Sequence, residues 1–119
     1  MKELNKAKGG YGENLACREL EKNGYVILER NYRYRNGEID IIVEKDGIII
    51  FVEVKLRTST KNGMPCEAVD FKKQKKIINT ALMYIQHNNL SNSSFRFDVI
   101  EILALDTVMI RHIKNAFWE

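Results

Sequence analysis

The stretch Gly37-Glu38-Ile39-Asp40-Ile41-Ile42-Val43-Glu44-Lys45-Asp46-Gly47-Ile48-Ile49-Ile50-Phe51-Val52-Glu53-Val54-Lys55 decides the fold. Two runs rich in β-branched residues flank Asp46-Gly47, a dipeptide suited to the positive φ angles of a tight hairpin. A two-residue turn there sets Asp40 opposite Glu53 and Glu38 opposite Lys55. Side-chain alternation then layers Ile39, Ile41 and Val43 against Val54, Val52 and Ile50 on one face. The charged residues share the other face with Ile42, Ile49 and Phe51, so that face is not wholly wet and is poorly explained as the solvated side of a two-faced sheet.

Opposed residues in such a pair have Cβ atoms roughly 4.5–5.5 Å apart, and like charges at that distance repel unless something positive lies between them. Asp40 and Glu53 therefore invite a cation. A hard divalent ion such as Mg²⁺, with Mn²⁺ as substitute, takes oxygen ligands at about 2.0–2.1 Å and keeps several waters, which suits two carboxylates plus a substrate phosphate. Lys55, two residues beyond Glu53 and so on the same face, is placed to neutralise a scissile phosphate or, with a lowered pKa, to help activate water.

Upstream, Asn36-Gly37 reads as a second two-residue turn closing a strand over Tyr25–Arg35. That register sets Arg33 opposite Asp40 and Arg35 opposite Glu38. The two guanidinium groups then either hold a nucleic-acid backbone beside the metal or form plain cross-strand salt bridges. Before this meander, Gly12, Ala16 and Leu20 fall on one face of a helix over Tyr11–Asn23, stopped by Gly24. After it come a loop over Thr58–Cys66 and a helix over Glu67–Asn88, with Phe71, Ile78, Ala81, Leu82 and Ile85 as its apolar face. Strands over Phe95–Leu105 and Val108–Ile113 complete an αβββαββ order. That order implies an α+β or α/β domain with one mixed sheet flanked by helices.

Lys72, Lys73, Lys75 and Lys76 open the second helix, and Lys72 with Lys76 lie one turn apart, where they either track phosphates or form a solvated helix face. Gln74 has Phe71, Ile78 and Ala81 as helical neighbours, which points its amide inward, as a hydrogen-bonded core glutamine would be. His87 and His112 have no partner from which a catalytic triad assembles, and are read as structural or surface residues.

The whole chain sets the outer bounds. Its 119 residues make a single domain, and 45% hydrophobic with 29% charged residues is globular composition. A net charge of +3 permits an anionic partner without demanding one. Cys17 and Cys66 stand far apart with no zinc spacing, which implies reduced thiols. With no apolar leader at the start and no long apolar run, the expected location is cytoplasmic, away from membranes.

Asp40 followed after twelve residues by Glu53-Val54-Lys55 resembles the PD-(D/E)xK nuclease superfamily, whose restriction-endonuclease-like core has αβββαβ order. More closely, the chain resembles the YraN family of small predicted endonucleases related to Holliday-junction resolvases. The motifs carrying that resemblance are Gly12-Glu13, Asn31-Tyr32-Arg33, Gly37-Glu38-Ile39-Asp40, Phe51-Val52-Glu53-Val54-Lys55, Glu67-Ala68-Val69-Asp70, Arg96-Phe97-Asp98-Val99 and His112-Ile113-Lys114-Asn115-Ala116-Phe117.

The resemblance implies Asp40 and Glu53 as metal ligands, Lys55 as the catalytic lysine, and Glu13 as an additional acid on the first helix. It implies Mg²⁺-dependent cleavage of DNA, in particular branched or structured DNA, and a place for Gln74 near the metal; Arg33 and Arg35 from the strand register, Lys72 and Lys76 from the helix, and Gln74 are then the candidate nucleic-acid contacts. A homodimer would suit a two-fold symmetric junction. The alternative function is a non-catalytic nucleic-acid-binding module on the same scaffold.

Overall fold

A computed structural model describes residues 2–57 and 70–117. The elements are α1 (Lys2–Lys22), β1 (Val26–Tyr34), β2 (Gly37–Lys45), β3 (Ile48–Arg57), α2 (Phe71–His87), β4 (Ser94–Ala104) and β5 (Val108–Ile113). The αβββαββ order is as expected, and α1 begins well before Tyr11. The loop expected over 58–66 and the helical start expected at Glu67 lie outside the described residues, as do Cys66 and Trp118.

The five strands form one mixed sheet in the order β1-β2-β3-β4-β5. β3 and β4 are parallel, and every other neighbouring pair is antiparallel. Antiparallel neighbours are joined by short turns, whereas the parallel pair needs a crossover, which contains α2. This is an α+β architecture compatible with a restriction-endonuclease-like core.

Each face of the sheet is sealed by one helix. On one side Ala16, Cys17 and Leu20 of α1 pack with Tyr25, Ile41, Val43, Ile50, Val52, Ile100 and Ile102. On the other, Ile77, Ile78, Ala81, Tyr84 and Ile85 of α2 pack with Ile42, Ile49, Phe51, Phe97, Val99 and Phe117. The α2 face is therefore rotated from the expected one. Phe71 is 65% exposed and Leu82 42%, while Ile77 and Tyr84 are buried.

The β2–β3 hairpin forms as expected at its turn. Asp46 and Gly47 take φ of 53° and 79°, and pairing runs from Lys45–Ile48 to Ile41–Val52. There the ladder stops although both strands run on, β2 against β1 and β3 against β4. The alternation of β2 breaks at the same point. Ile41 and Val43 face α1, but Ile39 packs into the cluster under α2 instead of joining their layer. Asp40 thus sits at a fork between two strands.

The β1–β2 register differs from expectation. Tyr34 pairs with Gly37 and Arg33 with Glu38, so the two-residue loop is Arg35-Asn36 and Arg35 carries the positive φ of 54°. Gly37 is the first residue of β2, and its requirement is proximity. A Cβ there would overlap the Thr80 hydroxyl and lie 3.3 Å from the Lys76 carbonyl oxygen of α2. The glycine that looks like half of a turn is the residue that lets α2 lie on the sheet.

Candidate metal and phosphate site

At the fork, Asp40 Oδ2 accepts the Val54 backbone N–H at 2.8 Å, taking up a donor where the β2–β3 ladder has ended. Glu53, on the same side of β3 as Ile49 and Phe51, is only 6% exposed. Burial, and after it the charge of Glu53, push the Asp40 carboxyl up to about 7; the Val54 hydrogen bond opposes this, and Glu13 and Glu38 add smaller upward pushes. Two acids enclosed at a strand fork at a cost to stability are a signature of a functional site.

Two lysines answer Glu53. Lys73 Nζ lies 2.6 Å from Glu53 Oε1, and Lys55 Nζ lies 3.6 Å from the same oxygen. Burial and the neighbouring Lys73 lower the Lys55 pKa, with Glu53 pulling the other way. For Lys73, burial is the largest single influence and lowers the pKa, but the hydrogen bond to Glu53, the contact with Lys55 and the charges of Glu53 and Asp40 together outweigh it, and the net shift is upward.

Glu13 projects from α1 where Gly12 meets Val54 and Leu56 of β3. Its Oε1 lies 3.5 Å from Arg30 Nη2, so Arg30 holds it within electrostatic reach of Asp40. Among the described residues no three acid, histidine or cysteine side chains converge as a ready metal cage. The donor set that fits a divalent ion is the Asp40–Glu53 pair, since a carboxyl raised by its neighbour's charge is the group a cation would restore to its ionised form. A hard ion that retains waters needs no more than such a pair.

The expected nucleic-acid contacts divide. Arg33 does not stand beside Asp40; in the observed register its Nε donates to Glu38 Oε2, an exposed cross-strand pair. Arg35 does not face Glu38 either. It sits in the turn, with its guanidinium 5.4 Å from the Tyr34 ring centroid. Arg35 and Lys76 instead meet in one cleft of about 530 Å³ with Asn36, Gly37, Asn79 and Thr80. Lys72 is exposed on the outer side of α2, and Gln74 is partly buried.

Lys73 is the site residue that the sequence reading passed over. It lies four residues before Ile77, on the stripe that continues through Thr80, Ala81 and Tyr84. An apolar face centred on Ile77 and Tyr84 would have pointed to it. Asp70 fixes its position by capping the helix, with Oδ1 accepting the Lys73 N–H at 2.8 Å.

A second buried polar cluster lies under β4. Asp98 is fully buried, and its oxygens accept bonds from Arg96, from His112 Nε2 at 2.7 Å and from the Asn115 N–H at 2.9 Å. Burial would raise this carboxyl, but these bonds outweigh it and hold it below the usual range. Its acceptor oxygens are satisfied within the fold, and it anchors the segment leading to Phe117. His112 is therefore structural, as expected, and His87 packs against the Tyr34 ring.

Residues 12–102, most of the chain, match the family described as Uncharacterised protein family UPF0102. A UPF0102 protein of Clostridioides difficile (strain 630) is 55% identical over 113 residues, covering 95% of this chain and 98% of the relative. One from Clostridium acetobutylicum is 48% identical over 120 residues, covering 98% of each. One from Caldanaerobacter subterraneus subsp. tengcongensis is 46% identical over 122 residues, covering 98% of this chain and all of the relative. With a match over most of its length and full-length relatives near half identity, the chain belongs to the UPF0102 family.

Proposed function

We propose that the protein is a Mg²⁺-dependent endonuclease-type phosphodiesterase of the PD-(D/E)xK class, acting on DNA, in particular branched or structured DNA. The observation that carries this is the fork itself. Asp40 and Glu53 are enclosed together, Asp40 is pushed up to about 7, and two lysines converge on Glu53. Asp40 and Glu53 would hold the ion, with Glu13 nearby. When bound, the ion supplies positive charge to a phosphoryl oxygen and lowers the pKa of a coordinated water.

The chain's own groups supply the rest. The Val54 N–H orients the Asp40 carboxylate, so Asp40 presents its other oxygen without a rotational search. Lys55, with its side chain 18% exposed, offers an enclosed ammonium to the charge that develops on phosphorus oxygens. Arg35 and Lys76 line a cleft farther along α2, where a strand's phosphates would find a guanidinium and an ammonium together.

That cleft alone would serve a non-catalytic nucleic-acid-binding module. Such a module has no need of a buried Glu53 and a half-buried Asp40 that repel each other, and this favours the enzyme. The test is incubation of purified protein with Mg²⁺ and a panel of linear, nicked, flapped and four-way DNA alongside matched RNA. We expect Mg²⁺-dependent cleavage of DNA that Asp40→Ala or Glu53→Ala abolishes while the circular dichroism spectrum is unchanged. Absence of cleavage of every substrate by folded wild-type protein would overturn the catalytic assignment.

A further inference from the structure

The geometry points to Lys73 as an internal counter-cation that holds Glu53 in the cation-free protein and competes directly with a divalent ion for the Asp40–Glu53 pair. This rests on the proposal that these acids are metal ligands. Lys73 Nζ is 2.6 Å from Glu53 Oε1, whereas the Lys55 ammonium stands back at 3.6 Å. A hard divalent ion bonds carboxylate oxygen at about 2.0–2.1 Å, and an ammonium in contact with the same oxygen obstructs that approach by volume and by charge.

The two lysines differ in their freedom to leave. The Lys55 side chain is 18% exposed and springs from a strand paired along its length to β4. The Lys73 side chain is 44% exposed and springs from the first turn of α2, where the Asp70 cap pins its backbone N–H. Its Cα is therefore fixed while its four-carbon stem opens to solvent, and a flexible, strongly hydrated ammonium is readily displaced. The ion pair offsets repulsion between buried Glu53 and half-buried Asp40 while no metal is bound. Displacement releases the Lys73 ammonium to the solvent that its side chain already reaches.

The test is calorimetric titration of the purified full chain with MnCl₂, in wild type, Lys73→Met, Lys73→Gln, Lys75→Met and Asp40→Asn. If Lys73 competes for the site, both Lys73 variants bind Mn²⁺ about tenfold more tightly than wild type or better, and Asp40→Asn loses the binding. Lys75→Met removes the same charge from an exposed position two residues along and stays within about twofold of wild type, so a change in the general field is separated from direct competition. Equal or weaker binding by both Lys73 variants, or equal tightening by Lys75→Met, overturns the role of Lys73 and leaves the metal site standing. No Mn²⁺ binding by any of the proteins overturns both together.

Discussion

Asp40 is the residue at which folding and the proposed function conflict. Its carboxyl is raised from 3.8 to about 7, so above pH 7 the folded protein carries an enclosed negative charge that the unfolded chain holds at no cost in water. A raised carboxyl makes this cost fully present above pH 7. The cost is relieved as pH falls through 7 and is gone below about 4. Asp40→Asn keeps an oxygen to accept the Val54 N–H and removes the charge. Without divalent ions at pH 8 it should be more stable than wild type by at least about 1 kcal/mol, by urea denaturation, with the difference shrinking as pH falls from 8 to 5. Added Mg²⁺ should raise the wild-type midpoint and leave Asp40→Asn unmoved. Equal stabilities at pH 8 would mean that the Asp40 charge is already neutralised.

Glu101 poses a related problem with no function attached. It is 3% exposed, among the described residues neither of its carboxylate oxygens has a hydrogen-bond partner although Arg111 Nη1 stands 4.0 Å from Oε1, and burial raises its pKa against the pull of Arg111 and Arg57.

At the scale of elements, the junction between the β1–β2 turn and α2 decides how the helix sits over the acids. Gly37 touches Thr80 closely enough that any side chain would overlap its hydroxyl. Gly37→Ala should destabilise the protein by about 1–3 kcal/mol, the usual range for overpacking. Thr80→Ala should recover part of that loss, because it removes the oxygen that collides. Denaturation of the two single variants and the double variant measures the coupling, and strict additivity would show that this contact is not what limits residue 37.

The same junction explains which parts of the register were legible. Asp46-Gly47 has both residues at positive φ and nothing packed near the glycine, so local turn chemistry decided the outcome. Asn36-Gly37 carries the same local signal, but the glycine was needed by a helix some forty residues away, and the turn formed one residue earlier on Arg35-Asn36. A long-range packing demand of that kind leaves no local mark. The two-residue displacement of the pairing moved Arg33 from Asp40 to Glu38 while keeping the odd–even relation of the strands.

Across the whole molecule, the order of elements along the chain, the antiparallel meander of the first three strands and the expectation of one mixed sheet followed from hydrophobic periodicity and turn spacing, whereas the parallel pairing of β4 on β3 was not read. That Asp40, Glu53 and Lys55 lie near one another was read from a single hairpin, although the Asp40–Glu53 and Glu38–Lys55 pairs expected there do not form, because the β2–β3 ladder ends at Ile41–Val52. Lys73 was harder to place because four lysines crowd the start of α2, and only the observed rotation of the helix, with Ile77 and Tyr84 inward and Phe71 outward, selects one of them. The buried Asp98 network was invisible for another reason: Tyr25, Arg96, Asp98, His112 and Asn115 come from distant parts of the chain, and no spacing rule links them. No helix among the described residues is long and apolar enough to cross a membrane.

The molecule thus divides its polar interior in two. One cluster, around Asp98, is satisfied by its own neighbours and stabilises the fold. The other, around Asp40 and Glu53, is only partly answered by the Lys55 and Lys73 ammonium groups on Glu53 and holds Asp40 at a cost, which the divalent ion of the proposed function would offset. Anomalous X-ray scattering from crystals grown with millimolar Mn²⁺ tests that claim most directly. A peak between the Asp40 and Glu53 carboxylates, absent in Asp40→Asn crystals, is the predicted result. Ordered carboxylates with no manganese between them, and Lys73 still seated on Glu53, would contradict it.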